Sequence, residues 1–354
     1  MLTTTPTMQP DYSRQTLLKE VGAAGQAALA RSRVLIIGAG GLGSPVLQYL
    51  AGAGVGFLGL VDADELDASN LHRQPLYALA DVGKPKTSLA KAAVAKLNPD
   101  VHVEPHAARF TADNALALVR EYDVVVDCSD NFLTKFLIND AAVLARRPAV
   151  FASVYQYEGQ LQVYEPSASH ACLRCLWPEA TLDGVVGNCA EAGVLGPVPG
   201  AFGALQALLT LKILLKLSGR LEGELLLLDF SSFTATKLKA ARRPDCPAPG
   251  CALIRELKRE ETDIEVRVAS LTAAREQHFE PIDVRTAEEV AAQPTEARNI
   301  PMASLLAEPK LLAPGPHYLL LCASGKRSLA AARELRKRGL DVRSLAGGLQ
   351  SLKR

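Results

Sequence analysis

At 354 residues the chain is long enough for two domains, each with its own core. Its 39 basic side chains nearly balance 38 acidic ones, which argues against a general polyanion-binding surface and so against nucleic acid or a membrane as partner. Met1 to Pro10 is polar, with no basic stretch leading into an apolar run. The seven cysteines are an odd number spread along the chain, a pattern of a reducing, cytoplasmic setting and of metal or catalytic thiols instead of a disulfide framework.

Residues 11 to 30 read as one or two short helices, and from composition alone Arg14 is a solvated helix residue. The run Val34 to Ile37 is apolar and β-branched, as expected of a strand buried on both faces. It enters Gly38-Ala39-Gly40-Gly41-Leu42-Gly43, after which Ser44 to Ala53 is helical in pattern. Strand, glycine turn and helix N-terminus place backbone N–H groups where a phosphate can sit. A second run, Phe57 to Val61, ends in Asp62-Ala63-Asp64, and an acid at the tip of a second strand holds a ribose hydroxyl in such sheets. Asn70, Arg73, Gln74 and Lys86 come next. A dinucleotide fold has no need of them, whereas Arg and Lys beside a glycine turn suit a triphosphate whose leaving pyrophosphate needs cationic stabilisation.

Further along, Thr87 to Leu97 is a helix stopped by Asn98-Pro99, Val101 to Pro105 a strand, and Asp113 to Glu121 a helix. Tyr122 to Asp127 is another buried strand, leading to Cys128-Ser129-Asp130-Asn131. Asp130 is therefore a candidate Mg²⁺ ligand or phosphate-side acid, and equally the N-cap of a helix over Phe132 to Leu144. Cys128 reads as a small buried hydrophobe. Pro148 to Ser153 gives a strand, and Gly159 to Glu165 alternates like the start of an antiparallel one. The whole is an α/β, doubly wound, mainly parallel pattern. Ala201 to Leu217, the most apolar helix, holds Gln206, Lys212 and Lys216 and reads as a core helix.

Cys172 and Cys175 form a C-x-x-C pair, and Cys246 and Cys251 a second pair among Pro and Gly. Four thiolates so arranged suit a structural Cys₄ zinc site; a redox dithiol at Cys172 and Cys175 is the alternative. Between the pairs, Cys189 lies in a Gly-rich loop, either a thiol for a covalent step or an unreactive loop cysteine.

Arg255 to Asp263 is a charged run read as a linker, dividing residues 1–254 from 264–354. Beyond it Ile264 to Val268, Pro281 to Arg285 and Tyr318 to Leu321 read as strands. The last runs into Cys322-Ala323-Ser324-Gly325-Lys326-Arg327-Ser328 and a helix over Leu329 to Arg338. A cysteine at a strand end, cradled by loop N–H groups beside Lys326 and Arg327, has the setting for a lowered thiol pKa and an anionic persulfide.

Residues 11 to about 253 resemble the MoeB/ThiF adenylyltransferases, relatives of ubiquitin-activating enzymes with a Rossmann-like sheet. The motifs that carry this are Arg14-Gln15, Gly38 to Gly43, Asp62-Ala63-Asp64, Asn70-Leu71-His72-Arg73-Gln74, Lys84-Pro85-Lys86, Asp127 to Asn131, the Cys172/Cys175 pair and Cys189 to Gly193. Residues from about 264 resemble a rhodanese domain through Ile282 to Arg285, Asn299-Ile300-Pro301, Cys322 to Ser328 and Ala346 to Leu349, with Ala323 where an arginine is common. The resemblance implies ATP on Gly38, Gly40, Gly41 and Gly43 with Asp62 on the ribose. It implies Asp64, Asn70, Arg73, Gln74, Lys86 and Asn131 around the nucleotide, and Mg²⁺ on Asp130. Arg14 would reach the triphosphate of the other subunit of a homodimer. The substrate implied is a ubiquitin-like sulfur-carrier protein ending in Gly-Gly, adenylylated at its carboxylate. Cys322 would then pass on a persulfide sulfur, obtained from a cysteine desulfurase or thiosulfate, with Cys189 a possible acyl carrier, to give a thiocarboxylate. Rival readings are an NAD-dependent dehydrogenase, which leaves Arg73, Lys86 and the cysteines without purpose, a non-catalytic carrier-binding scaffold, and adenylylation alone with an inactive rhodanese domain.

Overall fold

The computed structural model describes residues 9–166, 170–178, 193–246, 250–257, 264–313 and 315–353. Cys189 and most of the charged run after Arg255 therefore lie outside the described residues. Described residues up to Leu257 form one compact unit and those from Ile264 a second.

In the first unit, β1 (Arg33–Ile37), β2 (Phe57–Val61), β3 (His102–His106), β4 (Val124–Asp127) and β5 (Ala149–Tyr155) are parallel. Three antiparallel strands, β6 (Glu158–Tyr164), β7 (Glu224–Asp229) and β8 (Thr234–Lys239), extend the sheet in the order β3-β2-β1-β4-β5-β6-β7-β8. The last four residues of β1 are buried, as are those of β2 and all of β4, because helices cover both faces there; this is why these strands read as unbroken apolar runs. Helices Gly43–Gly52 and Pro197–Leu214 pack over one face, with Val46, Leu47, Leu50, Phe202 and Ala207 in a single core cluster. Helices Ala112–Arg120 and Phe132–Ala145 cover the other, where Val119, Phe136, Ile138 and Tyr164 meet.

Helix Pro197–Leu214 begins four residues before the expected start. At 18 residues it is long and apolar enough by length and composition to cross a membrane. Here it is a packing element: Phe202, Gly203, Gln206 and Ala207 are buried, and the Gln206 amide donates to the Asp127 carbonyl at 2.7 Å and that of Val150 at 3.3 Å. The hairpin β7–β8 has no counterpart among the expected strands.

The second unit is a parallel sheet in the order β11-β10-β12-β13-β9, formed by β9 (Glu265–Val266), β10 (Phe279–Asp283), β11 (Arg298–Asn299), β12 (His317–Leu321) and β13 (Val342–Leu345). Its core includes Ile282, Leu320, Leu335 and Val342, and Cys322 is part of it.

Candidate nucleotide and sulfur sites

The first site grows from the register of three strands. Ile37, the last residue of β1, lies beside Val61 at the end of β2 and Asp127 at the end of β4. The loops leaving these strands are thereby delivered to one edge of the sheet, the carboxyl end at which open α/β sheets bind ligands.

At the centre, Gly38 has φ +103°, and a Cβ there would lie 2.5 Å from the Cys128 carbonyl oxygen, so both conformation and space require glycine. Its N–H donates to the Val61 carbonyl at 2.8 Å, and the Cys128 N–H donates to that of Ile37 at 2.8 Å. Gly43 turns its Cα onto the Gly38 carbonyl, closing the turn against the helix it opens. Gly41 faces Pro199, and the Gly40 Cα faces the Gln74 amide nitrogen, which would lie 3.7 Å from a Cβ there.

Asp62 joins the turn directly. Its two carboxylate oxygens accept the Ala39 N–H at 2.7 Å and the Asp64 N–H at 2.8 Å. Burial raises its pKa, opposed by the Ala39 N–H and by the charge of Lys86. Lys86, 6 % exposed, opens the helix Lys86–Leu97 and pairs through Nζ with Asp64 Oδ2 at 2.9 Å. Tyr77 donates its hydroxyl to the Ala39 carbonyl at 2.9 Å, and burial with the Asp62 charge pushes that phenol upward.

Asn70 ends a short 3₁₀ turn, Ala68–Asn70, capped by Asp67, whose N–H donates to Asn70 Oδ1 at 3.3 Å. Arg73 Nη1 donates to the Ser69 carbonyl at 3.0 Å and meets His72 Nε2 at 2.8 Å. Gln74 is 3 % exposed, with its Nε2 toward Gly40 and no hydrogen-bond partner for its buried Oε1. Arg14 stands exposed in the helix Ser13–Thr16.

The loop after β4 corrects one expectation. The N-cap of helix Phe132–Ala145 is Asn131, whose Oδ1 accepts the Thr134 N–H at 2.8 Å, and not Asp130, which is exposed. Asn131 has the three-residue reach to an unsatisfied N–H that a cap requires. Beneath this loop lies a buried ion pair that no sequence pattern announces. Lys135 Nζ contacts Asp127 Oδ2 and donates to the Ala152 carbonyl at 2.6 Å, while Asp127 Oδ1 accepts the Ser129 hydroxyl at 2.5 Å. Asp127 is fully buried, so Lys135→Met would leave its carboxylate without a counter-charge at a cost of about 3–5 kcal/mol. A urea titration is expected to show a correspondingly lower midpoint; an unchanged midpoint would remove the structural role given to this pair.

The four cysteines expected to act together do gather. Sγ of Cys172 and Cys175 are 3.9 Å apart, Cys175 and Cys246 3.8 Å, and Cys246 and Cys251 3.5 Å. The contact between Cys172 and Cys175 pushes the Cys172 thiol up and the Cys175 thiol down, as when two sulfurs share one proton. The sulfurs thus form a chain of contacts, yet among the described residues no group of three or more His, Cys, Asp or Glu side chains is arranged to hold a metal ion. The first pair is tied to helix Phe132–Ala145: Arg174 forms a two-pronged pair with Asp140 at 2.6 and 2.7 Å, and the Leu173 N–H donates to Asn139 at 2.8 Å.

In the second unit, Cys322 is fully buried directly after β12. Its carbonyl accepts the Leu349 N–H at 2.9 Å, and its sulfur accepts the Ser328 hydroxyl at 3.6 Å. Gly325, at φ +86°, caps the helix Lys326–Lys337, and a Cβ on it would meet the N–H groups of Gly347 and Gly348 at 2.9 and 3.0 Å. The pieces singled out in sequence, the Cys322 loop and Ala346 to Leu349, thus form one cradle. Arg327, expected beside the thiol, pairs with Glu289.

The ThiF family profile matches residues 12–248. The chain belongs to the ThiF family. A rhodanese-like domain profile matches residues 268–354, so this member carries a second domain. The sulfur carrier protein adenylyltransferase of Thermus thermophilus is 48 % identical over 243 residues, 68 % of this chain and 90 % of that protein. A relative of both domains, the adenylyltransferase and sulfurtransferase MOCS3 of Drosophila yakuba, is 38 % identical over 96 % of this chain and 82 % of its own length. For other relatives of that name, such as that of Culex quinquefasciatus, the matched part is about half of their length (54 %). Among solved structures, E. coli MccB with AMPCPP and MccA superposes with a TM-score of 0.58 at 27 % identity, over 68 % of this chain and 74 % of that one.

Proposed function

We propose that this protein adenylylates the C-terminal carboxylate of a small ubiquitin-like sulfur-carrier protein ending in Gly-Gly and then converts it to a thiocarboxylate with sulfur held on Cys322. The observation that carries the reading is the pairing of two complete edges in one chain. One is a glycine turn bonded to Asp62, with Lys86 beside it; the other is a strand-end cysteine inside a glycine-built cradle. The names of the relatives and the AMPCPP in the MccB complex support ATP and a carrier protein as the substrates.

ATP would lie with its phosphates on Gly38, Gly40, Gly41 and Gly43, and its ribose on Asp62, whose carboxylate the Ala39 N–H already orients. Asn70, Arg73, Gln74, Lys86 and Asn131 would surround the triphosphate. The carrier carboxylate attacks the α-phosphate and pyrophosphate leaves; these side chains align the reactants and offset the charge of the leaving group. The exposed Asp130 carboxylate is a hard oxygen donor of the kind that holds Mg²⁺, which would supply further charge compensation. Arg14 is assigned to the triphosphate of a partner subunit in a homodimer, and Cys189 to a transient acyl bond. The divide between the two activities is placed at residues 255–263, and the setting is cytoplasmic.

We assign a zinc ion to the four cysteines, on the spacing of their sulfurs. A tetrahedral site with Zn–S near 2.3 Å has sulfur–sulfur edges of about 3.8 Å, and the thiol contacts run from 3.5 to 3.9 Å. With all four positions taken by sulfur the ion would be structural, pinning Cys172 and Cys175 to the segment bearing Cys246 and Cys251. Purified protein is therefore expected to hold one zinc per chain, and its removal by a chelator to lower the melting temperature. Metal-free protein with an unaltered transition would overturn the assignment.

The function itself is tested by intact mass. A Gly-Gly-ended carrier incubated with the protein, MgATP and a sulfane-sulfur donor should gain the mass difference between sulfur and oxygen. A carrier left unchanged, in the presence of bound ATP and with several carriers tried, would sink the proposal.

A further inference from the structure

Two serines share the interior with Cys322 and form a line of hydroxyls ending at its sulfur. Ser328 lies in the helix Lys326–Lys337 and Ser344 in β13, and both, like Cys322, are fully buried. The Ser328 hydroxyl touches the Ser344 hydroxyl at 2.9 Å, the Gly325 carbonyl at 3.0 Å and the Cys322 sulfur at 3.6 Å. A hydroxyl has a single proton to give, so Ser328 must choose among these acceptors. Ser344 faces Ser328 Oγ at 2.9 Å and the Gly325 carbonyl at 3.5 Å, a separation too long for a strong O–H···O bond. The nearer contact directs the Ser344 proton to Ser328, and the Ser328 proton is left to the Gly325 carbonyl or to the sulfur. Gly325 does not depend on it, because its carbonyl also accepts the Leu329 N–H at 3.0 Å. Turning the Ser328 proton onto the sulfur therefore orphans no buried acceptor.

We propose that Ser344 is a positioning residue for sulfur transfer: it donates to Ser328, which turns its own proton onto the Cys322 sulfur whenever that atom carries the negative charge. The inference rests on the proposed function, in which Cys322 accepts and passes on sulfur. In loading, the Cys322 thiolate attacks the outer sulfur of a donor such as thiosulfate. A sulfur–sulfur bond to Cys322 forms, the donor S–S bond breaks, and its electron pair leaves with sulfite, so the charge on Cys322 moves from Sγ to the outer sulfur. In discharge to cyanide, the cyanide carbon attacks that outer sulfur and its bond to Sγ breaks. Thiocyanate departs and the electron pair returns to Sγ, so atoms and charge balance in both steps. A proton donated to Sγ favours the state with charge there; it speeds discharge and does not speed loading. A hydroxyl that is itself accepting a hydrogen bond is a stronger donor, and Ser344 supplies that bond.

The test follows the two half-reactions separately in the full-length protein. Loading is read by intact mass as the sulfur gained by Cys322 from thiosulfate or an alkyl persulfide, and discharge as its removal by cyanide. Ser344→Ala is expected to slow discharge about fivefold, the equivalent of one neutral hydrogen bond, without slowing loading. Ser328→Ala removes the donor to charged sulfur itself and is expected to slow discharge about tenfold or more. The double variant should be no slower than Ser328→Ala, since Ser344 acts only through Ser328. Ser344→Thr keeps the hydroxyl on a residue type that strands favour and should restore discharge. A merely structural role lowers both half-reactions together. Equal losses in Ser344→Ala, an unchanged discharge rate, additive losses in the double variant, or discharge in Ser344→Thr as slow as in Ser344→Ala would each overturn the proposal. A wild-type chain whose Cys322 gains sulfur from neither donor would instead overturn sulfur transfer by Cys322, and this inference with it.

Discussion

Replacing Cys322 by alanine is expected to stop thiocarboxylate formation while ATP–pyrophosphate exchange continues at the wild-type rate. The substitution removes one sulfur from a fully buried position, and the Ser328 hydroxyl that touches it keeps the Gly325 carbonyl at 3.0 Å and the Ser344 hydroxyl at 2.9 Å. The fold should therefore persist, and the loss should be chemical. Removing a nucleophile outright costs at least about 10³-fold in the step that needs it. Mass spectrometry of the carrier and an exchange assay on the same preparation separate the two halves. Undiminished thiocarboxylate would withdraw the role of Cys322 and leave an adenylyltransferase whose second unit serves to bind a partner.

Lys86→Met should act on the other half. Lys86 is buried at the start of its helix, and its Nζ faces Asp64 with Asp62 within electrostatic reach. Without it, a triphosphate would meet the Asp62 and Asp64 carboxylates without the lysine that now offsets them. Losing one preorganised charge-stabilising donor lowers turnover by about 10²–10³-fold, which is the expected fall in pyrophosphate exchange. The Asp64 side chain is 70 % exposed, so the lost pair itself contributes little to folding and the melting temperature should hardly move. Exchange within a few fold of wild type would remove Lys86 from the triphosphate site.

The features legible in the sequence are those that depend on neighbours along the chain. β1, β2, β4 and β12 are short apolar runs because they are buried on both faces, and the glycine turn is visible because backbone geometry leaves no other residue at Gly38. β8 was not legible for the converse reason: all six of its residues are exposed, so no burial pattern marks Thr234–Lys239. β11 is a two-residue strand, too short for any periodicity, whereas β9, also two residues, lies inside the run Ile264 to Val268 that reads as a strand. The misplaced cap at Asp130 was an error of one residue in a run of polar side chains, decided by the reach of Asn131 to Thr134. Partners distant in sequence were the largest omission. Nothing local announces that Lys135 will turn back to Asp127 beneath the loop. Nor does anything local pair Arg327 with Glu289, 38 positions earlier.

Helix Phe132–Ala145 is fixed at its start by the Asn131 cap, and further along by Asn139 and Asp140, which hold the segment bearing Cys172 and Cys175. At 1.5 Å per residue the two anchorages are only about 12–14 Å apart along one hydrogen-bonded rod. The rod cannot unravel at one anchorage without exposing the apolar face that keeps the other in place, so both belong to a single cooperative unit of opening. Protection of its amides against exchange is then a shared property: a ligand that quiets the loop at one end slows opening at the cysteines, and an ion bound there slows opening at the loop. By thermodynamic reciprocity the two effects are equal in free energy, without any displacement of the helix.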